Sequence, residues 1–463
     1  MLHAEPEETV WRKKEFSSSF ASKNISNIWS KDMNNEIINT KKNPLRDFYV
    51  LWSTQSLSQL GSSITAFALT LWLYDKTGSA LGTAALTICT YAPYVIMSIF
   101  AGALSDRFNK KKTMLVCDTL AALCTVVVFL LYRTDTLAVW HLYAINVFSG
   151  LMNTVQQPAS EVTMTLIVPK AYYQKISAMH SLTRSLNSIL HPLIATALYG
   201  LFGMGVVFSV DLLTFVTAFV ALLKFVKIPE KPSEKKESTI TLAKEGLQFL
   251  KKTPLVFSLI LFMSGVNLVA SAFDATLYGY VIPNPKGGKG VLGIVTACSG
   301  IAMVIGSFIV SKMPKPKDRV RVIFVTMLIS LSVENFVLAF SREPVLWCMG
   351  QIVGWILVPV MSANLDVVLR NSIPVELQGR VYACRNTFQF FTIPIGLFLG
   401  GFMVDHVCEP FMARHAYSEV LTTLFGSGKG SGAALMMGIL GLTGTIHCLV
   451  FGTRLKKYHY SDS

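Results

Sequence analysis

The residues with most chemical potential are a few ionisable side chains set inside long apolar runs: Arg184, His191, Asp211, Asp274, Glu334 and Asp366. A charge in hydrocarbon is costly, so such groups pair with one another or line a pathway. Carboxyl groups in apolar surroundings exchange protons near neutral pH. Asp274 is therefore the first candidate for proton coupling. His191 is the second, because imidazole titrates in the physiological range. Arg184 suits an anionic group or an acidic partner. Asp211 and Glu334 read as structural, and Asp366 falls where it would line a cavity or serve an inner gate.

Amides and rings accompany these groups at helical spacing. Gln55, Gln59 and Ser62 share one helix face, as do Asn153 and Gln157. Asn267, Ser271, Asp274 and Tyr278 follow i, i+4, i+7, i+11, and so do His180, Arg184, Asn187 and His191. Gln351, Trp355, Ser362 and Asp366 form a further stripe. Such stripes serve either a polar cavity or hydrogen bonds between helices. The cavity candidates are Gln55, Gln59, Asn153, Gln157, Arg184, Asn267, Tyr278, Trp355 and Asp366. Spacing alone is weak evidence, since Thr83, Thr87, Thr90 and Tyr94 repeat it.

The elements that must position these residues are membrane helices. The 463-residue chain is 52% hydrophobic and 15% charged, with mean hydropathy +0.49. A soluble domain carries about 25% charged residues. A bilayer core takes about 20 apolar residues in a helix. Twelve such runs lie near 48–74, 81–104, 113–132, 138–158, 177–202, 205–227, 254–282, 291–311, 321–340, 345–369, 382–403 and 432–453. An all-α integral membrane protein of twelve spans follows, in two pseudo-symmetric six-helix bundles. The bundles are expected at 46–227 and 254–453, joined by a cytoplasmic linker over 228–253. Residues 1–45 read as a disordered cytoplasmic tail, and 454–463 as a second tail. Within the linker, Glu245–Lys252 fits a short surface helix. A weak internal repeat supports duplication: at an offset of 205 residues, Val168-Pro169 matches Ile373-Pro374 and Lys175-Ile176 matches Arg380-Val381.

The net charge of +14 invites a nucleic-acid reading until the charges are placed. With alternating spans, 33 of the 41 Lys and Arg residues fall on the side of both termini and 7 on the other. That is the positive-inside pattern of a multi-pass plasma-membrane protein with both ends cytoplasmic. Basic residues spread over alternate loops make no nucleic-acid surface. The eight cysteines are scattered singly, without disulfide or metal spacing. No nucleotide loop, zinc motif or hydrolase constellation occurs. An enzyme is not expected, nor a cofactor, nor a metal.

Between spans two and three runs Gly102-Ala103-Leu104-Ser105-Asp106-Arg107-Phe108-Asn109-Lys110-Lys111-Lys112. This resembles the signature loop of the major facilitator superfamily through Gly102, Leu104, Asp106, Arg107 and Lys111, with Lys110 in place of Arg and Asn109 in place of Gly. Gln59-Leu60-Gly61-Ser62, Thr77-Gly78-Ser79 and Gln378-Gly379-Arg380-Val381 are similar to the macrolide-efflux-like branch, which includes drug:proton antiporters, siderophore exporters and lipid transporters. The resemblance covers about 46–455 and implies alternating access around a central cavity. It also implies that Asp106 sits near the start of span eleven and helps hold the outward-closed state, with Arg107, Lys110 and Lys111 pairing with inner acids such as Asp118. The family places spans one, four, seven and ten at the cavity. These hold nine Asn and Gln residues, whereas spans three, six, nine and twelve hold one, Asn335. In span five, His191-Pro192 stands where antiporters of the superfamily usually carry Gly-Pro.

The function expected from this resemblance is proton-coupled efflux of amphipathic, drug-like or macrolide-like compounds by a monomer in the lipid bilayer. Its partners would be a small-molecule substrate and protons. Two alternatives remain: movement of an endogenous solute such as a siderophore, peptide or lysophospholipid, and a non-transporting receptor or scaffold.

Overall fold

The computed structural model describes residues 45–107, 109–168, 172–226 and 239–455. The expected tail before Leu45, linker residues 227–238 and the segment after Leu455 lie outside the described residues. Within them the chain is helical: α1 Arg46–Thr77, α2 Ala80–Arg107, α3 Lys110–Arg133, α4 Val139–Ile167, α5 Tyr173–Phe202, α6 Met204–Phe225 and α7 Thr239–Lys252. Then follow α8 Pro254–Val281, α9 Lys289–Lys312, α10 Arg319–Phe340, α11 Pro344–Ile356, α12 Val358–Ser372 and α13 Val375–Phe402. A π-helical turn, Met403–Cys408, leads into α14 Glu409–Arg414, α15 Glu419–Phe425 and α16 Ser431–Leu455.

Eleven of the twelve expected runs each fall, apart from a residue or two at their ends, in a single one of these helices. Among the described residues, 10 helical runs are long and apolar enough to cross a membrane. The runs at 48–74 and 138–158 lie in α1 and α4, of 32 and 29 residues. These are long enough to cross, but their amides and hydroxyls leave them outside the ten. Span ten is not one helix. It breaks at Leu357, between α11 and α12. Pro359 explains the break: it has no N–H to offer the carbonyl of Trp355, and its ring crowds that carbonyl. The linker helix is longer than its expected eight residues and begins at Thr239.

Large apolar side chains point outward in stripes. Leu123, Val127 and Leu130 do so on α3, Leu213, Val216, Val220 and Leu223 on α6, and Ile439, Leu442, Ile446 and Leu449 on α16. Water would reject such faces, whereas lipid accepts them. The protein interior is an apolar core that also holds glycine crossings and buried polar networks. Asp211 of α6, 4% exposed, accepts bonds from Ser62 of α1 and Thr125 of α3, both at 3.0 Å. Asp118 of α3 accepts from Gln55 of α1 at 3.1 Å and from Gln156 of α4. These two acids tie α1, α3, α4 and α6 together, as buried polar groups must be satisfied from within.

Lys111 has a structural task. Its Nζ donates to the carbonyls of Leu223 (3.1 Å) and Val226 (2.7 Å) at the end of α6. A cation there satisfies orphan carbonyls and opposes the negative end of the helix dipole. Lys111→Met should lower stability by about 0.3–1 kcal/mol, read as a small fall in melting temperature. An unchanged melting curve would show that α6 does not need this cap.

Candidate substrate and proton site

The site is organised by α8. Ser271, Ala272, Phe273, Ala275, Thr276 and Leu277 are buried, while Asp274 among them is exposed. Its carboxylate therefore looks into an opening and not into packing. That opening lies between helices from both ends of the chain: Tyr278, one turn along α8, lies 6.1 Å from Phe67 of α1, and Tyr91 of α2 and Glu334 of α10 are within electrostatic reach of Asp274. Among the described residues Asp274 has no hydrogen-bond or ion-pair partner.

Beside it the rings converge. Phe67 of α1 packs edge-on against His191 of α5, with centroids 5.6 Å apart, and lies 6.1 Å from Tyr278. Nδ1 of His191 donates to the carbonyl of Asn187 at 2.7 Å, which leaves Nε2 as the acceptor nitrogen. Asn187 in turn donates to Ser63 of α1 at 3.0 Å, and its buried Oδ1 has no partner among the described residues. An acid, an imidazole and three aromatic rings around one opening can bind an amphipathic molecule by stacking, and can take up or release a proton.

Three of the expected residues are thus brought together: Asp274, His191 and Tyr278. Others have their own partners. Gln55 is engaged by Asp118, and Asn267 donates to the carbonyl of Gln389 at 2.9 Å. Asp366 is exposed, with Arg385 Nη1 at 3.9 Å. Gln59, Asn153, Gln157 and Arg184 are exposed and have no partner among the described residues. Lys110 is half-buried. The side chains of Gly102, Leu104, Asp106 and Arg107 lie outside the described residues.

Trp355 leads to a residue that looked merely structural from the sequence. Its Nε1 donates to Oε1 of Glu334 at 3.1 Å. Glu334 is 6% exposed and is pressed against Gly354, where a Cβ would overlap its carboxyl group. Ser330, one turn before it, donates to the carbonyl of Gly354 at 2.6 Å. A lone acid in an apolar run was the only available signal. Phe67, one of 29 phenylalanines, had none.

The two ends of the chain meet along two glycine-lined crossings. On α9, a Cβ at Gly293 would meet Thr196 Oγ1 at 2.6 Å, and one at Gly300 would meet Ser188 Oγ at 2.7 Å, both on α5. On α13, a Cβ at Gly401 would meet the backbone of Leu81 on α2 at 2.6 Å.

A family model described as "Transmembrane secretion effector" matches residues 40–425. The chain is 24% identical to macrolide efflux protein A of Streptococcus pyogenes over 366 residues, which is 78% of this chain and 90% of that protein. It is 23% identical to the multidrug efflux pump Tap of Mycolicibacterium fortuitum over 381 residues, 79% of this chain and 90% of that one. In fold it is similar to an inward-facing, unoccupied bacterial homologue of the human lysosomal transporter Spinster. The TM-score is 0.66 at 13% identity, covering 92% of this chain and 100% of the other.

Proposed function

The chain belongs to the transmembrane secretion effector family of the major facilitator superfamily, and we propose that it is a proton-coupled exporter of amphipathic, macrolide-like compounds. It is a multi-pass membrane transporter and not an enzyme. In the proposed cycle, 46–227 and 254–453 are two bundles that rock about the central opening, with both termini cytoplasmic. The observation that carries the reading is Asp274: an exposed carboxylate on an otherwise buried stretch of α8, within electrostatic reach of Tyr91 and Tyr278, with no hydrogen-bond or ion-pair partner among the described residues. The efflux named for two relatives supports the direction.

Proton uptake from outside neutralises Asp274 and favours the state open to the cytoplasm. Substrate then enters beside Phe67, Tyr278 and His191, and its binding favours the state open outward. The proton leaves to the cytoplasm while the site is still open inward, so the carrier that then opens outward holds substrate and no proton, and the exchange is complete. Each ligand shifts the equilibrium only by its differential affinity for the two states. The test is flux of a compound panel in vesicles, with the pH gradient imposed and then collapsed. Efflux should fall with the gradient, and flux unchanged by collapse would exclude proton coupling. Asp106→Asn in the signature loop should also reduce efflux, and wild-type flux in that variant would remove the loop from the mechanism.

A second reading rests on Arg184. It lies on the His191 face of α5, exposed and without a partner among the described residues. A bare guanidinium suits a substrate carrying carboxylate or phosphate, as an endogenous amphipath would. Selective loss of anionic substrates in Arg184→Gln would favour it.

A further inference from the structure

At the end of the bundle that the charge pattern places outside, two polar links join the first six helices to the rest. Asp405, on the π-helical turn after α13, accepts from Ser79 Oγ (2.6 Å) and from the backbone N–H groups of Ala80 (3.1 Å) and Leu81 (2.9 Å). A carboxylate from one end of the chain thus caps the N-terminus of α2 from the other. Helix N-termini leave amide donors unsatisfied and carry partial positive charge, so the contact is charge-assisted. On the α5–α9 side, Asp75 at the end of α1 accepts from Tyr199 of α5 at 2.8 Å and pairs with Lys289 of α9 at 2.5 Å. Lys289 Nζ also lies 4.7 Å from the centroid of the Tyr199 ring.

These links stand beside the two glycine crossings already described, one at α2–α13 and one at α5–α9. Separating α2 from α13 at this end removes three acceptor contacts from Asp405, and separating α5 from α9 removes the Asp75–Lys289 pair. Glu409, one turn after Asp405, instead caps α16 through Gly430 (2.9 Å) and Ala433 (3.3 Å). The π-helical turn is therefore fixed to its own bundle by Glu409 and to the opposite bundle by Asp405.

We propose that Asp405 with the α2 N-terminus, and Asp75 with Lys289, form the outer gate, two latches that hold this end shut and must both release for it to open. The proposal rests on the alternating-access reading above. Its test needs neither substrate nor gradient, so it can fail while that reading stands. Hydrogen–deuterium exchange is measured on the full chain in lipid nanodiscs, for wild type, Asp405→Ala, Asp405→Asn and Lys289→Gln. Asp405→Ala should speed exchange in residues 78–83 by about tenfold, with Asp405→Asn intermediate, as expected for a lost charge-assisted cap. Because one motion breaks both latches, exchange in 286–292 should rise too. Lys289→Gln should do the reverse, raising exchange at 78–83 through the intact Asp405 latch, which keeps the test valid if an Asp405 variant does not fold. Coupling in both directions is what linkage requires. Changes confined to the mutated latch would make each contact a local cap and overturn the gate.

Discussion

Asp274→Asn should lower proton-driven efflux by about 5- to 150-fold, the range of ordinary coupling free energies, while leaving the melting temperature unchanged. The amide matches the carboxyl group in shape but cannot load or release a proton. Because Asp274 has no hydrogen-bond or ion-pair partner among the described residues, its replacement breaks no contact. The combination separates a transport role from a structural one. Asp211→Asn is the contrast: that carboxylate accepts from Ser62 and Thr125 while 4% exposed, so its loss should reduce stability first and flux only as a result. Efflux and exchange in vesicles, together with a melting curve, decide the matter. Wild-type efflux in Asp274→Asn would remove the proton from this residue.

The second large effect is on stability. Gly400 of α13 lies directly on α8, where a Cβ would overlap the carbonyl oxygen of Ala272 and meet its Cα at 2.8 Å. The obstructing atoms are backbone and cannot turn aside. Gly400→Val should cost about 1–3 kcal/mol or more and lower the melting temperature clearly. Gly290, at the start of α9, has nothing within 4 Å of its would-be Cβ, and Gly290→Ala should leave the melting temperature nearly unchanged. Equal melting curves for both variants would mean that the α8–α13 crossing has room that the structure does not show.

Much of this architecture could be read from residues alone because lipid simplifies the code. A run such as Pro254–Val281 must be a helix, since no water is present to satisfy its backbone. The stripe of Asn267, Ser271, Asp274 and Tyr278 put two neighbours of an opening, Asp274 and Tyr278, on one face, yet Ser271 is buried in packing and Asn267 is committed to the carbonyl of Gln389. Partner choice of that kind depends on which helix lies opposite, and spacing along one helix carries no such information. The same limit hid Glu334: its apolar span looked peripheral, but Trp355 reaches it across a crossing that only Gly354 permits. Pro359 was visible throughout, but its effect on span ten depends on the chain tolerating a break, which α9 supports by placing Gly306 against the carbonyl of Ile356.

The glycines where α5 meets α9 have a mechanical meaning. Interlocked side chains resist sliding, because each step along the contact lifts a knob out of its hole. Gly293 and Gly300 leave α9 bare where it bears on Ser188 and Thr196, so in the proposed rocking cycle this seam would act as a journal bearing with little friction. In that cycle the barrier to turning one bundle against the other would lie in the polar fastenings at its rim. Filling the bearing with larger side chains should slow turnover even where both end states remain equally stable.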